Sequence, residues 1–234
     1  MAKVKFGNGV AEIRGSIAGN VYSKNSSGNY IRNKTKPYNP QTISQTGVRA
    51  LFSTIAQVWR TLLSGERDSF VAQAPFYPTT NSVGDTVVYT GSQLHQKHNL
   101  NLSSVSAPYI TSQFSPVPIT QPIADLLTFD TSVLGAELQL TNLVATSTDE
   151  RISVEATPIL SSGIKNPNSF FKFIDYKSDG VILGDFDITT NWELIYGNDL
   201  TSAPVGSQIW VRLSTVNMIT GQATPYAIYL GIAV

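Results

Sequence analysis

Glu137-Leu138-Gln139-Leu140-Thr141-Asn142-Leu143 alternates apolar and polar side chains. That period of two is the mark of a strand with one face on a core and the other in water. Ile152/Val154/Ala156 and Ile209/Val211/Leu213 repeat it. In the last stretch Tyr226, Ile228, Leu230, Ile232 and Val234 face one way, and Ala227, Tyr229, Gly231 and Ala233 the other. Phe170-Phe171-Lys172-Phe173-Ile174 and Trp192-Glu193-Leu194-Ile195-Tyr196 read as two more strands. Ser162-Gly163, Asp179-Gly180 and Gly197-Asn198 separate them as turns. About seven short strands in some 110 residues predict an antiparallel β-sandwich, immunoglobulin- or fibronectin-like, over 125–234.

Upstream the period changes. Pro108, Pro116, Pro118 and Pro122 mark 104–124 as a proline-rich linker. Before it, 39–103 reads as a helical domain. Val48, Leu51, Phe52, Ile55, Trp59 and Leu62 fall on one helical face. Asn39 is the expected cap, with Pro40 at the first helical position. Ser64 caps a second helix from near Glu66, which Pro75 stops, completing a helical hairpin. Thr86-Val87-Val88-Tyr89 reads as a short strand, and Thr90 with Gln93 as a capping box opening a helix from Gly91 to about Asn101. Residues 1–38 form an extended basic arm. Gly7-Asn8-Gly9 reads as a turn, and Val21-Tyr22-Ser23 with Tyr30-Ile31-Arg32 as a β-hairpin whose loop exceeds two residues. The fold class is therefore α+β: a hairpin arm and helical hairpin, then the sandwich.

Of the 234 residues 41% are hydrophobic and 14% charged, which excludes a disordered charged tail. There is no cysteine, so disulfides, thiolate metal sites and cysteine nucleophiles are excluded. No run of 18 apolar residues spans a membrane, and Met1–Phe6 lacks the apolar core of a signal peptide. The net charge is zero but unevenly placed. Residues 1–60 carry nine Lys/Arg against Glu12, a charge of +8, and the remainder is −8. Such asymmetry points to a basic arm that meets an acidic surface or nucleic acid. The acidic surface of another copy qualifies, and head-to-tail contacts of that kind build rings or filaments. Folding of the arm onto its own body is the competing arrangement.

No catalytic constellation stands out. His95 and His98, at i and i+3, are the two histidines and read as partly exposed polar residues. Asp175, Asp179, Asp185 and Asp187 do not have the spacing of a calcium loop and read as solvated turns. No phosphate loop or nucleophile elbow is present. No cofactor and no metal is expected, and no enzymatic activity. Tyr22, Tyr30 and Tyr38 lie among Arg14, Lys24, Arg32, Lys34 and Lys36. Aromatics interleaved with cations serve nucleic-acid grooves or protein interfaces. These eight residues are the expected partner interface, with protein favoured over nucleic acid.

The segment Ile13 to Asn25, then Gly28-Asn29-Tyr30-Ile31-Arg32, Pro37-Tyr38-Asn39-Pro40-Gln41-Thr42, Gln45 and Arg49, resembles a module of tailed-bacteriophage structural proteins. Trp59, Ser64-Gly65-Glu66-Arg67, Thr90-Gly91-Ser92-Gln93-Leu94, Val211-Arg212-Leu213 and Thr220-Gly221-Gln222 extend the resemblance, with Phe70 where the family more often has tryptophan. The resemblance covers 1–102 well and the β-region loosely. It implies a non-enzymatic virion component assembled in the host bacterial cytoplasm: a homo-oligomeric ring or connector of the neck or tail. The expected partners are portal, tail or capsid proteins. A capsid-accessory or decoration protein, or a host-surface-binding module, are the alternatives.

Overall fold

In the computed structural model, residues 2–3, 13–25, 28–36, 38–80, 84–132, 136–143, 147–177 and 184–233 are described. The expected turns at Gly7-Asn8-Gly9 and Asp179-Gly180 fall outside them. The chain is α+β, with antiparallel sheets, and divides into two compact units, Met1–Gly47 and Val48–Val234.

In the first unit, β1 (Ala2–Lys3), β2 (Gly15–Ile17), β3 (Asn20–Asn25) and β4 (Gly28–Asn33) make an antiparallel sheet in the order β1-β4-β3-β2. The expected hairpin is β3–β4, but pairing runs through to Asn25↔Gly28. The connection is thus two residues, shorter than the polar stretch implied, because the polar residues Lys24, Asn25, Gly28 and Asn29 continue the backbone ladder.

Upstream of the large sheets lie the helices α1 (Ile43–Thr61), α2 (Ser64–Gln73) and α3 (Gly91–Ser104), with a 3-10 turn at Ala74–Phe76. α1 starts three residues later than Asn39 and Pro40 implied. Thr42 Oγ1 accepts from Gln45 N–H, while Asn39 Oδ1 accepts from Gln41 N–H in a local turn. Of the apolar stripe on α1, Ile55 and Leu62 are buried, but Val48 and Phe52 are exposed. Ser64 is the first residue of α2 rather than its cap; Glu66 Oε2 reaches back to Leu63 N–H at 2.7 Å. The α3 capping box of Thr90 and Gln93 forms as expected. Between α2 and α3, β5 (Thr79–Thr80) pairs with β6 (Thr86–Val87), shorter than the strand expected to reach Tyr89.

The remaining strands are β7 (Leu126–Asp130), β8 (Glu137–Leu143), β9 (Glu150–Ala156), β10 (Lys172–Lys177), β11 (Gly184–Asp187), β12 (Gln208–Asn217) and β13 (Ala227–Ile232). They form a four-stranded sheet, β10-β9-β12-β13, and a three-stranded sheet, β11-β8-β7. Leu127, Phe129, Leu138 and Leu140 of one sheet and Val154, Ile209, Val211 and Leu213 of the other belong to one buried cluster.

Trp192–Tyr196 is not a strand. It lies in a helix, α4 (Thr189–Tyr196). Asp187 Oδ1 accepts from both the N–H and the hydroxyl of Thr189, and Gly197 ends the helix in the left-handed region at φ 66°. One helical turn brings Trp192 and Tyr196 to the same side, their rings 5.2 Å apart. Trp192 is fully buried, and its Nε1 donates to Thr157 O at 2.8 Å.

Candidate functional site

Antiparallel register decides which face each arm residue occupies, because directly paired residues share a face. Tyr22 pairs with Ile31, and Lys24 with Asn29. Val21 pairs with Arg32, and Ser23 with Tyr30. Tyr22 and Lys24 therefore stand on one face of the sheet, Tyr30 and Arg32 on the other. Arg14 precedes β2. Lys34, Lys36 and Tyr38 lie in the irregular segment between β4 and α1. The structure thus does not bring the eight expected residues onto one surface. It gives a sheet with a tyrosine and a cation on each face, followed by an irregular segment with two exposed lysines and Tyr38, which is 89% exposed.

This sheet has no core of its own. Every described residue from Ile13 to Gly47 keeps part of its surface open, and the buried residues begin at Ile55. Ile17 and Ile43 are both more than half exposed.

In the second unit a polar network joins the helices to the sheets. Gln113, from the proline-rich stretch, is buried at its centre. His98 Nδ1 donates to Gln113 Oε1 at 3.0 Å, and Gln113 Nε2 donates to the Tyr77 hydroxyl at 2.8 Å and to Thr220 O at 3.1 Å. Asn101 Nδ2 donates to Gly221 O, and Gln222 Oε1 accepts from Val117 N–H. Gly221 has φ 70°, and a methyl on its Cα would sit 2.5 Å from His98 Cβ. The Thr220-Gly221-Gln222 run is therefore the surface on which α3 rests.

The histidines are not the partly exposed residues that the sequence implied. His95 is fully buried between Trp59 and Phe70, with ring centroids 5.3 and 5.1 Å away. Neither of its ring nitrogens has a hydrogen-bond partner among the described residues. Burial lowers its pKa to about 4. His98 is lowered to about 4 as well, by burial foremost, against the opposing pull of its bond to Gln113. Spacing alone gave no sign of this, since a polar residue on α3 becomes a core residue only once α1 and α2 pack over it. Among the described residues no three histidine or acidic side chains are placed to hold a metal ion. Asp175, Asp185 and Asp187 accept from Asn191, Asn142 and Thr189 respectively, and Asp179 lies outside the described residues. No described helix is long and apolar enough to cross a membrane.

Two surface features were not legible in the sequence. On the outer face of the four-stranded sheet Arg212 pairs with Glu155 and lies between the rings of Phe171, at 4.4 Å, and Tyr226, at 4.1 Å. Tyr226, Ile228, Leu230 and Ile232 extend that face along β13, all partly exposed. The second feature is a cleft of about 380 Å³ at the end of β9 and β12. Phe114, Val117 and Ile219 line it, with Asp149 and Glu150. Its apolar rim is open to solvent, Phe114 being 55% exposed. Glu150 is buried, and its carboxylate oxygens accept from the backbone N–H groups of Thr120 and Ser147.

Comparison of the chain with protein-family models, with curated proteins and with solved structures finds no match.

Proposed function

We propose that this chain is a non-enzymatic structural component of a tailed-bacteriophage virion, a ring or connector subunit of the neck or tail that assembles through its N-terminal unit. The observation that carries the reading is the sheet of the first unit, in which no described residue of β2, β3 or β4 is buried. A small sheet is stable when one face packs on another layer. Here the described residues of β2, β3 and β4 are exposed or half-buried, with a tyrosine and a cation on each face, a composition enriched at protein interfaces. The opposite charges of the leading and trailing parts favour a head-to-tail contact between copies. The resemblance of residues 1–102 to phage structural modules supplies the biological setting, with other virion proteins as further partners.

In the same reading the β-region is an immunoglobulin- or fibronectin-like sandwich. Two features support it. The two sheets share one core. The chain changes sheet between β8 and β9, between β10 and β11, and again between β11 and β12, as a Greek-key sandwich does. The core tryptophan, however, comes from α4 rather than from a strand. A host-glycan platform has less support, since the aromatic rings flanking Arg212 are occupied by that guanidinium.

Sedimentation velocity and electron microscopy of the full chain test the proposal. The full chain is expected to form a closed oligomer, and a chain lacking residues 1–38 to remain folded by circular dichroism yet sediment as a monomer. A full chain that stays monomeric at every concentration, or a truncated one that assembles normally, overturns it.

A further inference from the structure

We propose that the cleft between the proline-rich stretch and the β9–β12 end receives the side chains of Lys36 and Tyr38 of a second copy. This rests on the assembly reading above and names the receiving surface. The cleft combines three partly exposed apolar side chains, Phe114, Val117 and Ile219, with two carboxylates, Asp149 and Glu150, and no lysine or arginine lines it. Glu150 is 2% exposed, faces the cleft, and has backbone N–H groups as its partners among the described residues, with no cation. A buried carboxylate without a countercharge is costly. An arriving ammonium offsets that cost, and apolar contact with the rim adds to it.

The occupant must therefore present a cation beside an apolar ring. The chain displays that pair itself. Tyr38 is 89% exposed, and Lys34 and Lys36, both exposed, lie within four residues of it. At about 380 Å³ the cleft falls in the range of about 300–1,000 Å³ that holds a bulky side chain with its neighbour. Charge complementarity selects the source: the leading 60 residues are +8 and the remainder −8, so the segment of one copy is drawn to the body of another. The two surfaces lie on different parts of the chain, so in a head-to-tail arrangement the contact is heterologous and a closing rotation makes it a ring, whereas a reciprocal exchange would stop at a dimer.

The test is the oligomeric state of the full-length chain by sedimentation velocity over a concentration series. Asp149→Lys and Phe114→Ser alter exposed positions of the cleft; Lys36→Glu and Tyr38→Ser alter the segment. Each single variant is expected to raise the concentration of half-assembly at least about tenfold, the loss of one good contact. The Lys36→Glu/Asp149→Lys double variant is expected to recover most of that loss, because both sides of the pair change sign. Normal assembly of both cleft variants, while deletion of residues 1–38 still abolishes assembly, overturns the cleft and leaves the arm reading standing. A wild-type chain that never assembles overturns both. Loss of assembly in both charge variants with no recovery in the double variant overturns the pairing of Lys36 with Asp149. A dependence on another protein for assembly overturns the second copy as the occupant.

Discussion

Gly221→Ala is expected to destabilise the second unit by about 3 kcal/mol or more, lowering its melting temperature by roughly 10 °C. Two costs combine. Gly221 holds φ at 70°, where an L side chain costs about 1–2 kcal/mol. The new methyl would also lie 2.5 Å from His98 Cβ and 2.9 Å from the His98 carbonyl oxygen. The second contact is with helix backbone, which cannot swing aside as a flexible side chain can. Overpacking of this kind costs typically about 1–3 kcal/mol. Relief requires α3 to move off the β12–β13 turn, and that motion stretches the Asn101–Gly221 and Gln113–Thr220 hydrogen bonds. Gly65→Ala is the internal control. Gly65 lies within α2, at an ordinary φ, with open space around its Cα. There the substitution is expected to stabilise by about 0.5–1 kcal/mol, since alanine is the better helix former. Calorimetry of the two variants separates the explanations: a Gly221→Ala chain that melts with the wild type means that α3 does not bear on this turn.

Local patterns carried the fold as far as local physics does. Period two marked β8, β9 and the first half of β12, because alternate side chains there enter the shared core, while on β13 the larger apolar side chains, Ile228, Leu230 and Ile232, stand on the exposed face. The capping box marked the start of α3 because its partners are three residues apart. Trp192–Tyr196 misled because a five-residue apolar run fits strand and helix alike. The Asp187 side chain and Gly197, one at each end, decide for the helix. Val48 and Phe52 of the α1 stripe read as core and are exposed, since a stripe shows amphipathicity but not how far a partner layer extends. The charge asymmetry exposed the arm, yet only the strand register shows its tyrosines and cations split between two faces. The cleft and the Gln113 node were invisible for a different reason. Gln113 and Thr220 are 107 positions apart, and no pattern along the chain links them.

Acid is expected to remove much of the stability of the second unit between pH 6.5 and pH 4, before most carboxylates are protonated. His95 and His98 have their pKa values lowered from 6.5 to about 4 in the folded chain, chiefly by burial. Above pH 6.5 both are neutral whether folded or unfolded, so they impose no pH dependence. Between 6.5 and 4 the unfolded chain takes up protons that the folded chain excludes, and stability falls as pH falls. Below pH 4 both states are protonated and the loss levels off. One pH unit is worth about 1.4 kcal/mol per group, so each histidine accounts for about 3 kcal/mol across that window. The pair approaches the whole stability of an ordinary domain, about 5–15 kcal/mol. The two are separable by substitution, because their surroundings differ. The His95 ring has no hydrogen bond to lose among the described residues and sits against Trp59 and Phe70, so His95→Leu is expected to hold or raise stability at pH 7 and to halve the acid sensitivity. His98→Leu also removes an acid-sensitive group, but it strands Gln113 Oε1 in a buried site and is expected to cost about 1–3 kcal/mol at pH 7. Urea titrations at pH 7, 6, 5 and 4 read both effects. A wild-type midpoint that stays flat from pH 7 to pH 4 refutes the assignment, as does a His95→Leu chain with undiminished acid sensitivity.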